Sequence, residues 1–461
     1  MQYKYLINDP SNDRLIIFFT GWSTDWKIVD DIIIPDGYDL LCFWDYREIE
    51  TLDLKKAYRE AIIIAWSFGV KAAERFFSFN SNLLNVTGRY AINGTSFPVH
   101  AELGISPEIF EATLTNLTES SLNKFRLRIC GSRRQWLNYS KNLSTNLSIK
   151  ELKEELNCFR DPDKAREMND WWDYAFISEN DKIFSLDNQK KGWNETPFGL
   201  LTGQQHLPDF QKIINLIIKD KSFIGQNFEK SVPEYEENAS VQIDISNRLI
   251  DIVRQNTEQI KTILEIGGGS GYLSKNINNL LRPDTFSIID LAKGKELEGV
   301  NFIRGDVEDA INRMPTSYFD LVISGSTLQW VQSPSHVLME SERILKADGL
   351  FLFSTFIEGT FKEIYDLTGN TLLYLTEDQW KTIIKRTGFE LIQCETDSRT
   401  LWFDDKKELF HHLKSTGVNS LSSKGMKIGR IRHFIEDYPV VNGKFPLTYN
   451  RMIMLLKKSA G

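Results

Sequence analysis

Short apolar runs separated by polar, helix-forming stretches recur along the whole chain, in two successive series. In the first, "RLIIFFTGW" (14–22), "YDLLCFW" (38–44), "AIIIAW" (61–66), "GRYAING" (88–94) and "DYAFIS" (173–178) have the length and composition of buried strands. Such strands alternating with helical segments predict an α/β unit with a mostly parallel sheet and helices on both faces. A polar, helical stretch at 105–170 interrupts the series and reads as a cap or lid. The second series follows "QKIINLIIKDKS" (211–222). There, "TILEIGGGSGYLSKNI" (262–277) is strand, glycine turn and helix. "FSIIDL" (286–291), "VNFIRGD" (300–306), "FDLVISGS" (319–326) and "GLFLFSTF" (349–356) supply further strands. No Gly/Ser- or Pro-rich linker lies near 218–224. The two units, 1–217 and 222–461, are therefore expected to join directly, a continuous helix being one form of the join.

Composition narrows the class without changing this picture. A chain of 461 residues exceeds one ordinary core, in keeping with two units. Its net charge of -8 argues against general nucleic-acid binding, which needs a basic surface. Cys42, Cys130, Cys158 and Cys394 are scattered, a spacing for reduced thiols rather than disulfides or a metal site. No apolar run approaches the roughly 18–20 residues that span a bilayer, and the N-terminus has no apolar signal core. A cytoplasmic protein without membrane contact is expected.

The second series carries the clearer chemistry. Gly267, Gly269 and Gly271 follow a strand and open a helix, where glycine lets the backbone turn tightly and a ligand approach closely. Glu265 precedes the turn. Asp290 ends the next strand, where a carboxylate can accept from both ribose hydroxyls, and Asp306 ends the one after, placed for an adenine amino group. Ser324, in the fourth strand, is a further candidate contact to the ligand. The turn has no phosphate-binding lysine, which disfavours a nucleoside triphosphate; a nicotinamide dinucleotide stays open on these residues alone.

This combination resembles the class I S-adenosylmethionine-dependent methyltransferases, with a Rossmann-like fold. "FDLVISGSTLQWV" (319–331) and "ESERILKADGLFLFSTF" (340–356) narrow the likeness to the BioC family, the malonyl-acyl-carrier-protein O-methyltransferases. "IGQNFEKSVPEYEENASVQIDISNRLI" (224–250) resembles that family's N-terminal helix, with Tyr235 and Gln242 at its characteristic positions; Tyr235 could close over the donor or simply pack. "FHHLKSTGVNS" (410–420) and "PLTYNRM" (446–452) resemble its C-terminal segments. Gly268 departs from the cysteine common in the family, and it is expected to point out of the turn. The resemblance implies S-adenosylmethionine as methyl donor, and acyl carrier protein as bearer of the malonyl acceptor.

In the first series, "AIIIAWSFGV" (61–70) ends an apolar run in an x-Ser-x-Gly turn, the outline of a nucleophile elbow with Ala65 where glycine is usual. Ser67 is either the nucleophile or a small residue at a buried strand end. His206 follows a short apolar strand late in the series, in the order that a triad base requires; His100 comes too early. Asp181, just beyond "DYAFIS", is the preferred acid and Asp187 the alternative. The backbone N–H groups of Phe68 and Trp22 are the expected oxyanion donors. "FFTGWSTDW" (18–26), "AWSFGV" (65–70), "YAINGTSFPV" (90–99), "GISPEIFEATL" (104–114) and "ENDKIF" (179–184) together resemble the BioG family of pimeloyl-acyl-carrier-protein methyl ester esterases. That likeness implies an α/β-hydrolase fold with a helical cap, and Ala65 is normal within it.

The two resemblances imply opposite reactions in biotin synthesis: methylation of a malonyl carboxylate, and hydrolysis of a pimeloyl methyl ester after chain elongation. Two basic stretches are candidates for docking the acidic carrier, Arg126, Arg128, Arg133 and Arg134 in the cap, and Lys424, Lys427, Arg430 and Arg432 in the second unit. Selection of chain length by the cap is expected to spare the short malonyl ester. A hydrolase-like half that only binds carrier, or two halves acting on an unrelated small molecule, remain the alternatives.

Overall fold

The computed structural model describes residues 1–48, 52, 54–80, 83–143, 145–160, 171–256, 260–295, 297–369, 371–416 and 437–459. The chain divides into two compact units, Met1–Ile214 and Asn215–Gly461.

The first unit is built on a seven-stranded sheet in the order β1-β3-β2-β4-β5-β6-β7. Its strands are β1 (Gln2–Ile7), β2 (Arg14–Phe19), β3 (Tyr38–Trp44), β4 (Glu60–Trp66), β5 (Val86–Ile92), β6 (Tyr174–Ser178) and β7 (Phe198–Leu201). All pairings are parallel except β1 with β3. Strands β2 and β4 are buried along both faces, which is why they read as unbroken apolar runs. The edge strand β1, QYKYLI, is largely exposed and escapes an apolar-run reading. Helix α1 (Gly69–Phe79) leaves the end of β4 and lays Phe76 and Phe77 against Phe19 and Phe43. Between β5 and β6 come α2 (Pro107–Thr115), α3 (Glu119–Cys130), α4 (Arg133–Tyr139) and α5 (Ile149–Asn157). Thr118 with Ser121, and Ser148 with Glu151, form capping boxes that start α3 and α5. Residues 161–170 of the expected cap lie outside the described residues. Helix α6 (Leu186–Gly192) follows β6.

The second unit opens with α8 (Lys221–Asn238) and α9 (Ser240–Asn256), after α7 (Phe210–Ile217). The expected single N-terminal helix is thus two, broken at Ala239, whose ψ of 47 is not helical. The join is not a continuous helix either, because residues 218–220 separate α7 from α8. The sheet order is β10-β9-β8-β11-β12-β14-β13. The parallel part comprises β8 (Thr262–Ile266), β9 (Thr285–Asp290), β10 (Val300–Arg304), β11 (Phe319–Ser324) and β12 (Leu345–Phe356). Strand order reverses between β8 and β11, and the crevice beyond their carboxyl ends is where doubly wound sheets take ligands. Helix α10 (Tyr272–Leu281) starts from the glycine turn after β8. Strands β13 (Phe389–Phe403) and β14 (Phe445–Lys458) add an antiparallel flank that the sequence did not predict. Strand β13 is half-buried and rich in charge, so it lacks an apolar signature. Among the described residues, no helix is long and apolar enough to cross a membrane.

Candidate active sites

In the first unit the chain turns sharply after β4. Ser67 takes a left-handed backbone, φ 60, and three glycines make room for it. A Cβ on Gly94 would sit 2.2 Å from the Ser67 carbonyl oxygen, one on Gly69 2.5 Å from the Phe19 oxygen, and one on Gly21 3.1 Å from Ser67 Cβ. Ala65 lies inside β4, paired with Phe19 and Ala91, and its methyl is absorbed in the sheet. The small residues that the turn demands are therefore those packed across it.

His206 Nε2 lies 2.9 Å from Ser67 Oγ, and its Nδ1 lies 2.9 Å from Asp181 Oδ2. The other Asp181 oxygen accepts from the N–H groups of Ile183 and Phe184 at 2.7 and 3.1 Å, and Gln189 Nε2 donates to Oδ2 at 3.1 Å. Four fixed contacts thus aim the carboxylate, while Phe184 stacks on the imidazole with 10° between the rings. Asp187, the alternative acid, is exposed in the first turn of α6. His100 is also exposed and accepts from the backbone of Glu102 and Leu103. The His206 loop is tied down by Trp66 Nε1 and Asn93 Nδ2, which donate to its carbonyl at 2.8 and 2.9 Å. Asn93 also accepts from Ser178 N–H, locking the ends of β5 and β6 together. Sequence reasoning overlooked Asn93 and Gln189; the "NG" turn pair in 93–94 was the available signal for the first.

Trp22 and Phe68 flank the serine, both buried. Among the described residues neither backbone N–H has an intramolecular acceptor. The Trp22 ring is turned away into the cap, its Nε1 donating to Leu152 at 2.9 Å. Arg126 departs from its expected place on an exposed docking face: it is half-buried and donates to the Ser23 carbonyl at 3.2 Å. Arg128, Arg133 and Arg134 do face solvent. Lys424, Lys427, Arg430 and Arg432 lie outside the described residues.

In the second unit a cavity opens at the sheet's reversal point. It is walled by Gly267, Gly269, Asp290 and Asp306 and covered by Ile224, Phe228 and Tyr235 of α8. Gly267 has φ 80 and lies under Thr327, whose Oγ1 would be 2.0 Å from an added Cβ; Gly269 and Gly305 face open space. Asp290 accepts from Gly269 N–H and Ala292 N–H, both at 2.8 Å. Burial raises its pKa, against the pull of these donors. A carboxylate held beside bare backbone, with apolar walls from Leu291, Val307 and Trp330, fits a nucleoside bearing a thioether chain. Tyr235 lines the same cavity, and its hydroxyl is raised by burial and by the Asp290 charge.

Several expected donor contacts lie elsewhere. Gly271 has φ 83 and serves the entry into α10 rather than the wall. Ser324 is fully buried and donates to Ile266 at 2.9 Å, while the next residues, Gly325, Ser326 and Thr327, line the cavity. Glu265 is buried behind the turn, and desolvation pushes its carboxyl up to about 8. Gly268 does not point out: an added Cβ would meet Ile288 Cγ2 at 2.7 Å. Asp306 is at the wall but ion-paired to Lys221, whose Nζ is 3.1 Å from it and 2.8 Å from Glu308. Lys221 was not singled out in the sequence, where nothing marks it.

Comparison with known proteins divides the chain in the same manner. The family described as pimeloyl-ACP methyl esterase BioG matches residues 1–206, and a methyltransferase-domain family matches residues 264–353. A malonyl-[acyl-carrier protein] O-methyltransferase of Bacteroides fragilis is 29% identical over 477 residues, 97% of this chain and 94% of its own. Its counterpart in Chlorobium phaeovibrioides is 30% identical over 257 residues, 52% of this chain and 98% of its own. The crystal structure of BioG from Haemophilus influenzae is 32% identical, covers 45% of this chain and 94% of that one, and has a TM-score of 0.40. Such a methyltransferase draws on S-adenosylmethionine, and its acceptor rides on acyl carrier protein. The chain belongs to the malonyl-[acyl-carrier protein] O-methyltransferase family, with a BioG segment fused ahead of the methyltransferase.

Proposed function

We propose that the chain is bifunctional: its second half methylates the free carboxylate of malonyl-carrier, and its first half, an α/β-hydrolase with a helical cap, hydrolyses the methyl ester of pimeloyl-carrier. The observation that carries the esterase reading is the line from Ser67 through His206 to Asp181, each contact at 2.9 Å. His206 Nε2 takes the Ser67 proton as Oγ attacks the ester carbonyl, and Asp181 steadies the imidazolium that forms. The Trp22 and Phe68 N–H groups receive the developing oxyanion. Methanol leaves with the proton from His206, and water then releases the acid by the same steps in reverse.

For the transferase half, Asp290 and the backbone of Gly267 and Gly269 would hold the donor, with Asp306 and Lys221 at the wall. The donor supplies an electrophilic methyl group. A malonyl carboxylate is ionised at neutral pH, so the chain needs no general base. Helix α8 contributes by excluding water and aligning the acceptor. Methylation hides a charge that would be costly in an apolar elongation pocket, and hydrolysis restores it.

The test is direct. Full-length protein is given pimeloyl-carrier methyl ester, with Ser67→Ala beside it, and separately malonyl-carrier with methyl-labelled S-adenosylmethionine. Release of methanol by wild type but not by the variant, and label on malonyl-carrier, support the proposal. Equal hydrolysis by both proteins removes Ser67 as nucleophile, and no label on malonyl-carrier removes that acceptor.

A further inference from the structure

The cap does more than roof the serine. The loop after β2 carries the Trp22 N–H, and Ser23, next in the chain, is fully buried at φ 66. A serine holds this left-handed backbone only where its surroundings impose it. Two cap helices do so. From α3, Arg126 Nη2 donates to the Ser23 carbonyl at 3.2 Å, and the Phe125 ring meets Trp22 edge-on at 5.1 Å. From α5, the Leu152 carbonyl accepts the Trp22 indole N–H. Glu155, on the same helix, accepts from Tyr46 N–H at 3.3 Å, and the Tyr46 hydroxyl donates to Thr20 at 2.8 Å, in the same loop. The carboxylate is 1% exposed and its other oxygen has no partner among the described residues. A buried acid so arranged is expensive, and desolvation pushes it up to about 8.

We propose that Glu155 and Arg126 are positioning residues of the esterase site: from two cap helices, Arg126 grips the Ser23 carbonyl and Glu155 holds Tyr46, whose hydroxyl ties down Thr20, and together they fix the loop that aims the Trp22 N–H at the oxyanion. The inference rests on the esterase reading above. The loop that carries the Trp22 N–H is then fixed from the cap side, whereas the Phe68 N–H is fixed by the turn after β4. The same α3 reaches the opposite wall, because Leu207 N–H donates to the Ile129 carbonyl at 3.1 Å, beside His206. Cap and catalytic loops therefore share one hydrogen-bonded frame.

The experiment measures kcat and KM of full-length wild type, Glu155→Ala, Glu155→Gln, Arg126→Met and Ser67→Ala on p-nitrophenyl butyrate, with inhibition by a trifluoromethyl ketone. Displacing one oxyanion donor by about 1 Å costs on the order of 100-fold. Glu155→Ala is expected to lose about that much in kcat with KM within threefold, and the ketone to weaken in parallel. Glu155→Gln, whose amide oxygen still accepts the Tyr46 N–H, recovers to within about tenfold of wild type. Arg126→Met keeps the alkyl packing and loses about tenfold in kcat, which decides the matter if Glu155→Ala fails to fold. Wild-type kcat in Glu155→Ala or Arg126→Met, with Ser67→Ala inactive, overturns the positioning role alone. A Ser67→Ala protein as active as wild type overturns the esterase reading, and this inference with it.

Discussion

Asp181→Asn is the sharpest probe of the first site, because the structure dictates which way the new amide must face. One carboxylate oxygen accepts two backbone N–H groups, from Ile183 and Phe184. The asparagine oxygen must stay there, or two buried donors go unpaired at about 1–3 kcal/mol each. Its NH2 is then turned toward His206 Nδ1 and the Gln189 amide, both on Oδ2 in the native site. An NH2 donor facing Nδ1 makes that nitrogen the acceptor and puts the imidazole proton on Nε2. That nitrogen, 2.9 Å from Ser67 Oγ, can no longer take the serine's proton. In a serine protease the equivalent exchange lowers kcat by about 10,000-fold, or about 5.4 kcal/mol at 1.36 kcal/mol per decade. The assay is steady-state hydrolysis of a methyl ester at pH 7, with circular dichroism to verify folding and Asp187→Asn as control. Expected are a kcat down by about 10,000-fold, an unchanged KM, and a control at wild-type rate. An Asp181→Asn enzyme within tenfold of wild type would refute the reasoning.

Gly267→Ala puts a methyl at φ 80 and into Thr327 Oγ1. The left-handed penalty of about 1–2 kcal/mol should lower the urea midpoint, and S-adenosylhomocysteine, read by calorimetry, should bind more weakly because Thr327 is displaced at the cavity wall. Lys221→Met leaves Asp306 and Glu308 buried without their cation; breaking such a pair costs about 3–5 kcal/mol, visible as a lower urea midpoint. Glu265 has its folded pKa raised by desolvation to about 8, so its contribution is present below its unfolded value and lost as pH climbs through 8. Glu265→Gln should therefore unfold at a higher temperature than wild type at pH 8.5, with the gap closing toward pH 4.5; a constant gap would refute it. Gly268→Cys should destabilise by about 1–3 kcal/mol through overlap with Ile288, and Ile288→Ala should offset part of that loss in a double-mutant cycle.

What could be read from the chain was what is written locally. Strands β2 and β4 announce themselves because both faces are buried, and the Ser67 turn because a glycine-flanked break ends an apolar run. Asp290 followed from its place at the end of a strand beside a glycine turn. Strand β13 was invisible because a half-exposed flank needs no apolar pattern. The side chain of Ser324 turns inward to Ile266, while Gly325, Ser326 and Thr327, beyond the strand's end, line the crevice, and no sequence pattern marks that difference. The contacts of Arg126, Glu155 and Lys221 eluded sequence reading for another reason: their partners lie 103, 109 and 85 residues away, and no spacing rule links them.

The short break between α7 and α8 has a practical consequence for anyone dividing the protein. Gln332 donates through Nε2 to the Ile217 carbonyl and accepts from Lys219 N–H through its side-chain oxygen. The Lys219 ammonium caps the Val331 carbonyl. Both Val331 and Lys221 line the donor cavity. Cutting at 221/222, ahead of the second unit expected from the sequence, would strip the methyltransferase of Lys219 and Lys221 and take from Gln332 its contacts with Ile217 and Lys219. A second half expressed alone should begin ahead of Ile217, because residues 217–221 are part of the donor cavity's foundation.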